Sequence, residues 1–486
     1  MTGGIDERLE RSIYGLRDVN PMLSAERTFV PRQRNGILIA LVVLVVLVVL
    51  WPYVVLPALV GLATLAYLST IVFRVSLMVH ASRHPGIAVV TDDEARAFPA
   101  SKLPTYTVMI PCYKEPEVVA QLLHGMATME YPRDKMDVKL LLEADDVATI
   151  DAAREANADQ IAEIIVVPPA EPRTKPKALN YGLQSAHGTY VTIFDAEDRP
   201  DPLQLRKAAI ALSRAPEDIA CLQAELAYFN PDQNIITRWF TLEYELWFRQ
   251  FLPGLSRVSA PIPLGGTSNH FRKDVLVGAG GWDPFNVTED ADLGVRLHRL
   301  GYRTGMLSSV TLEEANSDFV NWVKQRSRWY KGYLQTWLVH MREPRKLVRD
   351  VGWRGFLRFN LFVGGTPMLA MLNPLFWGLT LSWFLLQPPF VLRLFWPPVY
   401  YTGLATWLFG NFFFAYTFLY AAYQHPEKKV FTAALLAPVY WVAMSMAATK
   451  AFVQLIFSPQ YWEKTQHGLT ASPASQERTT EPARAP

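Results

Sequence analysis

The sequence predicts an α/β domain of Rossmann type inserted between α-helical transmembrane segments, and three observations predict it. Long stretches carry no charge: Arg34 to Arg74, Arg358 to Arg393, Arg393 to Glu427 and Lys429 to Lys450. Between them, from Thr105 to Phe194, strand and helix signals alternate four times. Three of those four strands end in acidic residues, which alternation places on one sheet edge. A hydrophobic share of 50% against 19% charged residues agrees with a membrane protein. The net charge of +2 argues against nucleic acid as the main partner. The cysteines, Cys112 and Cys221, offer neither a disulfide framework nor metal-ligand spacing, which suits a reducing compartment.

The first apolar run is nearly twice the length needed for a hydrocarbon layer of ~30 Å, so it reads as two spans. These are Gly36 to Val55 and Ala58 to Val79, turned near Pro52 and Pro57. Arg8, Arg11, Arg17, Arg27, Arg32 and Arg34 make the N-terminus cytoplasmic by the positive-inside rule. Two spans then return the chain to the cytoplasm, where nucleotide-activated substrates are.

A polar connector, Thr91 to Pro104, precedes strand Thr105 to Ile110, which leads into Pro111-Cys112-Tyr113-Lys114-Glu115-Pro116 and a helix from Glu117 to Met129. Strand Val138 to Leu142 ends in Glu143-Ala144-Asp145-Asp146 and a helix near Thr149 to Asp159. Strand Ile164 to Val167 leads to Lys175-Pro176-Lys177-Ala178-Leu179-Asn180 and a helix to Ala186. Strand Tyr190 to Phe194 delivers Asp195-Ala196-Glu197-Asp198. This alternation implies a parallel, helix-flanked sheet, and neither G-x-G-x-x-G nor a Walker sequence is present. Carboxylates crowded as at 195–198 repel unless a hard cation or a basic partner neutralises them, and Mg²⁺ or Mn²⁺ suits oxygen ligands. An isolated Asp-x-Glu is more often a solvated turn; its company overturns that here.

Beyond Cys221, Gln223 to Tyr228 reads as a further strand, followed by an aromatic-rich helix, Trp239 to Phe251. A Gly-bent segment, Leu264 to Arg272, feeds Thr288-Glu289-Asp290, where acidic residues precede a helical Leu spacing and would often be mere caps. Asp318 to Met341 interleaves Trp322, Trp329, Tyr333 and Trp337 with Lys324, Arg326, Arg328 and Lys331, the pattern of a helix lying in the membrane interface. Gln325, Arg328 and Trp329 share one face of it. Basic residues from Arg342 to Arg349 fit a surface near anionic lipid. The remaining apolar runs bring the total to five or six spans, since Pro367 and Pro374 divide the stretch after Arg358 into one span or a tight pair. Trp462-Glu463-Lys464-Thr465-Gln466-His467-Gly468 is either a gating segment or an interfacial anchor, and the tail from Ala471 reads as disordered. The expected organisation is an N-terminal arm (1–35), a transmembrane hairpin (36–79), the α/β domain with its interfacial helix (80–341), C-terminal transmembrane helices (342–457) and a tail (458–486).

Asp145-Asp146, Asp195-Ala196-Glu197, Thr288-Glu289-Asp290 and Gln325-Arg326-Ser327-Arg328-Trp329 fall in the order and spacing of family 2 glycosyltransferases. The chain resembles the membrane-embedded, cellulose-synthase-like branch, over roughly Tyr106 to Trp337. Q-x-x-R-W after T-E-D is the specific part, a hallmark of processive members; the metal motif departs from Asp-x-Asp by reading Asp-Ala-Glu. The resemblance implies a GT-A-type fold and the following roles. Pro111, Tyr113 and Glu115 would line the uracil and ribose pocket, closed by Asp145 or Asp146. Lys177 and Asn180 would approach the nucleotide diphosphate, and Asp195 and Glu197 would hold Mg²⁺ or Mn²⁺. Asp290, with Glu289 beside it, would be the catalytic base, and Gln325, Arg328 and Trp329 would form the acceptor and diphosphate site.

The expected function is therefore an inverting, metal-dependent hexosyltransferase. It would move sugar from UDP-glucose or UDP-N-acetylglucosamine to a growing β-linked exopolysaccharide at the inner membrane. Expected partners are the UDP-sugar, a polysaccharide or lipid-linked acceptor, membrane lipid and a periplasmic or regulatory protein. The alternatives are a non-processive transferase to a lipid carrier and a non-catalytic membrane scaffold. Glycoside hydrolysis also uses paired carboxylates, but a hydrolase has no need of a cytoplasmic membrane-facing site. No Arg-x-x-x-Arg with a following β-barrel pattern is seen after Pro459, so a C-terminal cyclic-dinucleotide receptor domain is not expected.

Overall fold

The computed structural model describes residues 6–83, 86–459, 461 and 463. Its centre is a nine-stranded sheet. The strands are β1 (Ile87–Ala88), β2 (Tyr106–Cys112), β3 (Met136–Glu143), β4 (Glu163–Val167), β5 (Tyr190–Ile193), β6 (Arg199–Pro200), β7 (Ile219–Tyr228), β8 (Asn269–Arg272) and β9 (Arg303–Glu313). The order is β1-β9-β7-β8-β5-β2-β3-β4, with β6 paired to β9. β2, β3, β4 and β5 pair parallel, as their alternation with helices requires. The sheet as a whole is mixed, through strands outside that alternation. β8 runs antiparallel to both β5 and β7, and β6 antiparallel to β9. β8 is the strand emerging from the Gly265-Gly266 bend, and its reversal brings that bend over the carboxyl end of β5, where Ser268 N–H bonds to Ile193 O at 2.8 Å.

Buried apolar residues cover both faces of the sheet. Val108, Leu140, Leu142 and Phe194 pack on one side; Met109, Leu141, Val191 and Phe271 pack on the other. The alternation of side chains along each strand assigns these sets to opposite faces.

Five helices among the described residues are long and apolar enough to cross a membrane: Pro31–Leu50, Pro52–Arg83, Pro344–Leu385, Pro397–Gln424 and Ala437–Phe457. The first two turn at Trp51; Pro57 sits inside the second helix, not at the turn. Pro57 falls in the helix's second turn, past the first-turn positions where a missing N–H is free, so the carbonyl of Tyr53 loses its intrahelical donor. The stretch after Arg358 makes one helix, Gly365–Leu385, carrying Pro374 in its interior. The helix Pro52–Arg83 reaches down to the α/β domain at Gly254, where a β-carbon would lie 2.5 Å from Leu77 O.

Much of the surface of the helix Phe319–His340 is covered by protein. Thirteen of its 22 residues are buried, Trp322 and Lys331 among them. It lies between the α/β domain and the helix Ala437–Phe457. Its aromatic and basic residues find partners within the protein: Trp337 Nε1 bonds to Asn360 at 2.9 Å, and Arg326 forms a bidentate pair with Glu243 at 2.8 and 2.7 Å. Residues 6–30 dock on the α/β domain, with Arg8 donating to Tyr181 O and Arg342 to Met22 O and Ser24 O. The segment Trp462 to Gly468 lies outside the described residues except for Glu463, whose carboxylate takes Lys450 and Gln454, and the tail from Ala471 lies wholly outside them.

Candidate active site

A cavity of about 1230 Å³ opens along the carboxyl ends of β2 and β5 and continues between the apolar helices. Ligands in open α/β sheets bind at that strand end. Of the residues predicted for the site, Pro111, Tyr113, Glu115, Asp195, Glu197, Glu289, Asp290, Gln325, Arg328 and Trp329 line this one cavity.

β5 ends at Ile193 and the chain turns sharply, Asp198 N–H bonding back to Asp195 O at 3.1 Å. The turn holds Asp195 and Glu197 toward the cavity and sends Asp198 inward. There the Asp198 carboxylate accepts from Asp195 N at 2.8 Å and from the Thr267 hydroxyl at 2.5 Å, while its Oδ1 is buried with no hydrogen-bond partner among the described residues. Burial, then repulsion by Asp195 and Glu197, holds Asp198 well above the usual carboxylate range. Glu313, at the end of β9, is raised in the same way by burial and by Asp198 and Asp195. Lys175 answers this charge from the helix Lys175–Leu183. Its ammonium contacts Asp195 and donates to Gly266 O at 2.8 Å. Burial alone would lower it, but Asp195 and Glu289 hold it above its ordinary value.

The helix Glu289–Arg299 presents Glu289 and Asp290 from its first turn. Burial, then Asp290, pushes Glu289 up to about 7. Burial pushes Asp290 up to about 6 against the Ala291 N–H and Lys175. A carboxylate poised near neutrality is suited to general-base work. Opposite stands the helix Phe319–His340, close-packed through Gly332, whose β-carbon would fall 2.3 Å from Thr288 Oγ1. This packing brings Arg328 within the field of Glu289, Asp195 and Asp290, whose attraction opposes the lowering of its pKa by burial. Gln325 lines the cavity with its carbonyl oxygen buried and without a partner among the described residues, an acceptor suited to a ligand hydroxyl. Trp329 lies under the Arg326 guanidinium at 4.4 Å from its ring centre, in the cavity wall.

Four predicted residues are placed elsewhere. Lys177 is wholly buried on the far side of its helix, bonded to Glu143 at 2.9 Å and Ala170 O at 3.2 Å; Lys175, two residues earlier and on the other face, is the lysine at the cluster. Asn180 bonds to Ser12 O and to Trp282 N and O, joining the N-terminal arm to the loop at 280–286. Asp146 caps the helix Val147–Glu155 through Thr149 N and takes Lys114 N, so helix geometry occupies its oxygens. Asp145 does not line the cavity but holds two residues that do, Tyr113 at 3.4 Å and Arg173.

Sequence reasoning missed Lys175, Arg173 and Glu313 as site residues, and it placed Asp198 in the acidic cluster without a role of its own. The helix period was the available signal for Lys175, because residues 175 and 177 of one helix face about 200° apart. Glu313 carried none, since only the pairing of β9 with β7 brings it to the cluster.

The donor set fits a divalent cation: carboxylate oxygens, hard ligands, crowded enough to repel one another. Among the described residues no group of three or more His, Cys, Asp or Glu could by itself hold a metal. Asp195 and Glu197 would supply two oxygens, and a diphosphate would supply others.

Residues 104–332 match the family described as Glycosyltransferase like family 2. A probable glycosyltransferase, YdaM, of Bacillus subtilis is 26% identical over 271 residues, 54% of this chain and 64% of that protein. Glucomannan 4-beta-mannosyltransferase 2 of Arabidopsis thaliana is 29% identical over 259 residues, covering 50% of this chain and 46% of the plant protein. The chain thus spans about half to two thirds of the length of these relatives. Among solved structures, a mannosyltransferase from Pyrobaculum calidifontis in complex with GDP-Man and Mn²⁺ superposes with a TM-score of 0.48 at 18% identity, over 82% of this chain and 99% of that one. The α/β core built around the Asp195 cluster, with Thr288-Glu289-Asp290 and Gln325-Arg326-Ser327-Arg328-Trp329 on its rim, is a family 2 glycosyltransferase domain.

Proposed function

We propose that this protein is an inverting hexosyltransferase that extends a β-linked polysaccharide from a nucleotide-sugar donor and passes the product between its own membrane helices. The observation that carries the reading is the continuity of the cavity. Asp195 and Asp290 share it with Trp247, Trp377, Trp407 and Trp441, rings on which sugars stack.

The donor's base and ribose sit among Pro111, Tyr113, Glu115 and the Arg173 side chain that Asp145 holds. Lys175 lies against the diphosphate, and Arg328 reaches it from the opposite rim. Mg²⁺ or Mn²⁺ on Asp195 and Glu197 would neutralise the diphosphate and so make it a good leaving group. Asp290 takes the proton of the acceptor hydroxyl, which attacks the anomeric carbon as the bond to the diphosphate breaks. The nucleotide leaves with the electron pair, and one displacement inverts configuration. Gln325 and Trp329 hold the acceptor terminus, by a hydrogen bond and by stacking. Glu289, kept partly protonated by burial, limits the charge beside Asp290.

The donor of this reading is a UDP-hexose; GDP-mannose is the second candidate because relatives are named as glucomannan mannosyltransferases. The α/β domain faces the cytoplasm, on the strength of the six arginines that precede the first apolar run. In a bacterial-type cell that membrane is the inner one.

Nucleotide release by the full-length protein in nanodiscs, with Mg²⁺ or Mn²⁺ and a panel of UDP- and GDP-sugars, tests the reading. Metal-dependent turnover of one donor, abolished in Asp290→Asn, is expected, with products that lengthen over time. Single-sugar products would replace polymer synthesis by transfer to a carrier. Turnover with none of the donors would overturn the reading.

A further inference from the structure

Arg74 stands alone at the end of a 39-residue stretch without charge, inside the apolar helix Pro52–Arg83, and its side chain lines the cavity. An arginine in such a segment is expensive and ordinarily meets a carboxylate. Here, among the described residues, no acidic group lies within 4 Å of its guanidinium, whose Nη2 donates to the Thr366 hydroxyl at 3.1 Å and whose Nε is buried with no partner. Aromatic rings surround the rest: Phe251, Phe414 and Phe362 have their centres 5.3, 5.7 and 6.0 Å from the guanidinium carbon. One turn earlier on the same face, Thr70 also lines the cavity, with a buried hydroxyl that has no partner among the described residues.

The carboxylate close enough to act on Arg74 is Glu243, from the helix Ile235–Leu246, and it is already engaged. Both its oxygens are held by Arg326, at 2.8 and 2.7 Å, and Tyr440 bonds to it as well. Two guanidinium groups therefore face one carboxylate, and Arg74 carries the surplus positive charge. Breaking or omitting one partner of a buried pair is strongly unfavourable, so an unneutralised guanidinium persists most readily where a ligand supplies the charge. The Thr366 hydroxyl, which accepts from Arg74 and donates to Phe362 O at 2.7 Å, orients the guanidinium, and the fork together with the Thr70 hydroxyl matches a carboxylate or phosphate.

We infer that Arg74 and Thr70, with Thr366 orienting the guanidinium, bind an acidic substituent, a carboxylate or an ester phosphate, on the glycan passing through the cavity, which makes the polymer anionic. The inference rests on the glycosyltransferase reading and adds the substrate class to it. A glycan is favoured as carrier of the charge because the cavity continues past Arg74 between walls bearing Trp377, Trp383 and Trp407, which suit sugar rings.

The test measures binding of tetragalacturonate and of neutral cellotetraose to the full-length protein in zwitterionic-lipid nanodiscs, by calorimetry at low salt. Wild type is compared with Arg74→Gln, Arg74→Lys and the double variant Thr70→Val, Thr366→Val, each checked for an unchanged elution profile and melting temperature. The acidic tetramer is expected to bind roughly tenfold more tightly than the neutral one, a preference lost in Arg74→Gln, partly kept in Arg74→Lys and weakened in the double variant. Equal affinities in wild type, no binding of either tetramer, or a preference that survives Arg74→Gln would each overturn the site. A polyprenyl phosphate arm separates the other source of an oxyanion: binding of that lipid through Arg74 without binding of the acidic tetramer would overturn the glycan assignment. Nucleotide release by wild type, run in parallel, keeps the two readings apart. Release without an acidic preference removes only the Arg74 site, whereas a preference without release removes only the transferase.

Discussion

Gly332→Ala adds one methyl group at the contact that sets the two halves of the site against each other. The new carbon would lie 2.3 Å from Thr288 Oγ1, 2.4 Å from its Cγ2 and 2.7 Å from its Cβ. Carbon atoms in contact sit about 3.5–4.0 Å apart, so the helix Phe319–His340 must move about 1 Å away from Thr288. Overpacking of this kind costs roughly 1–3 kcal/mol. The functional cost is the larger one, because Glu289 and Asp290 directly follow Thr288 while Arg328 and Trp329 lie about one helical turn before the glycine. A displacement of about 1 Å between reacting groups costs on the order of 10²-fold in rate. Nucleotide release with and without acceptor, together with a melting curve, gives both quantities. Thr288→Ala in the same chain removes the two nearest atoms, and the Thr288 hydroxyl has no hydrogen-bond partner among the described residues, so the double variant should regain part of the lost rate. A Gly332→Ala protein with unchanged melting temperature and turnover would refute the argument that this contact positions the acceptor rim against the base.

Other expectations follow from the same geometry. Asp290→Asn should lower turnover by roughly 10²- to 10⁴-fold while donor binding, followed by nucleotide-analogue fluorescence, is retained. Lys177→Met should destabilise the protein by about 3–5 kcal/mol, since it strands the buried Glu143 carboxylate, with donor KM unchanged in the folded fraction; Lys175→Met should instead raise donor KM. Asp283, which accepts Ala25 N and Phe285 N, is pushed up to about 6 by burial and then by Asp292. A carboxyl raised on folding stabilises below its unfolded pKa, and that stability is lost as pH rises from about 4 to about 6. The loss is on the order of 3 kcal/mol, and Asp283→Asn should flatten the melting temperature across that range.

The parts of this protein written locally in the chain were legible in the chain. Each strand of the 105–194 alternation exists because a short apolar run is bounded by turn residues, and the observed strands match those runs within about two residues. The acidic ends of β3 and β5 were readable because parallel strands share one carboxyl edge. The charge-free runs were readable as apolar helices by length alone. Asp195, Glu197, Glu289, Asp290, Gln325, Arg328 and Trp329 were legible as a set because their order and spacing match a family, and one cavity contains them all.

What local pattern could not carry, packing decided. Whether Lys175 or Lys177 faces the carboxylates depends on which face of the helix meets the sheet, and the buried Glu143 claimed Lys177. Asp146 was lost to a helix cap and Asn180 to the N-terminal arm, contacts that join residues 3 to 168 positions apart. Amphipathicity does not name what covers a face: on the helix Phe319–His340, Arg326 of the basic and aromatic stripe meets Glu243 and Tyr440, and the helix packs on Ala437–Phe457. The antiparallel β8 and the joining of Glu313 to the cluster were settled by pairings between distant strands. Composition and periodicity determined which segments form and which residues have the chemistry. The tertiary structure alone chose which of those residues meet, because charge pairing and burial across the sheet are non-local and a sequence states only neighbours.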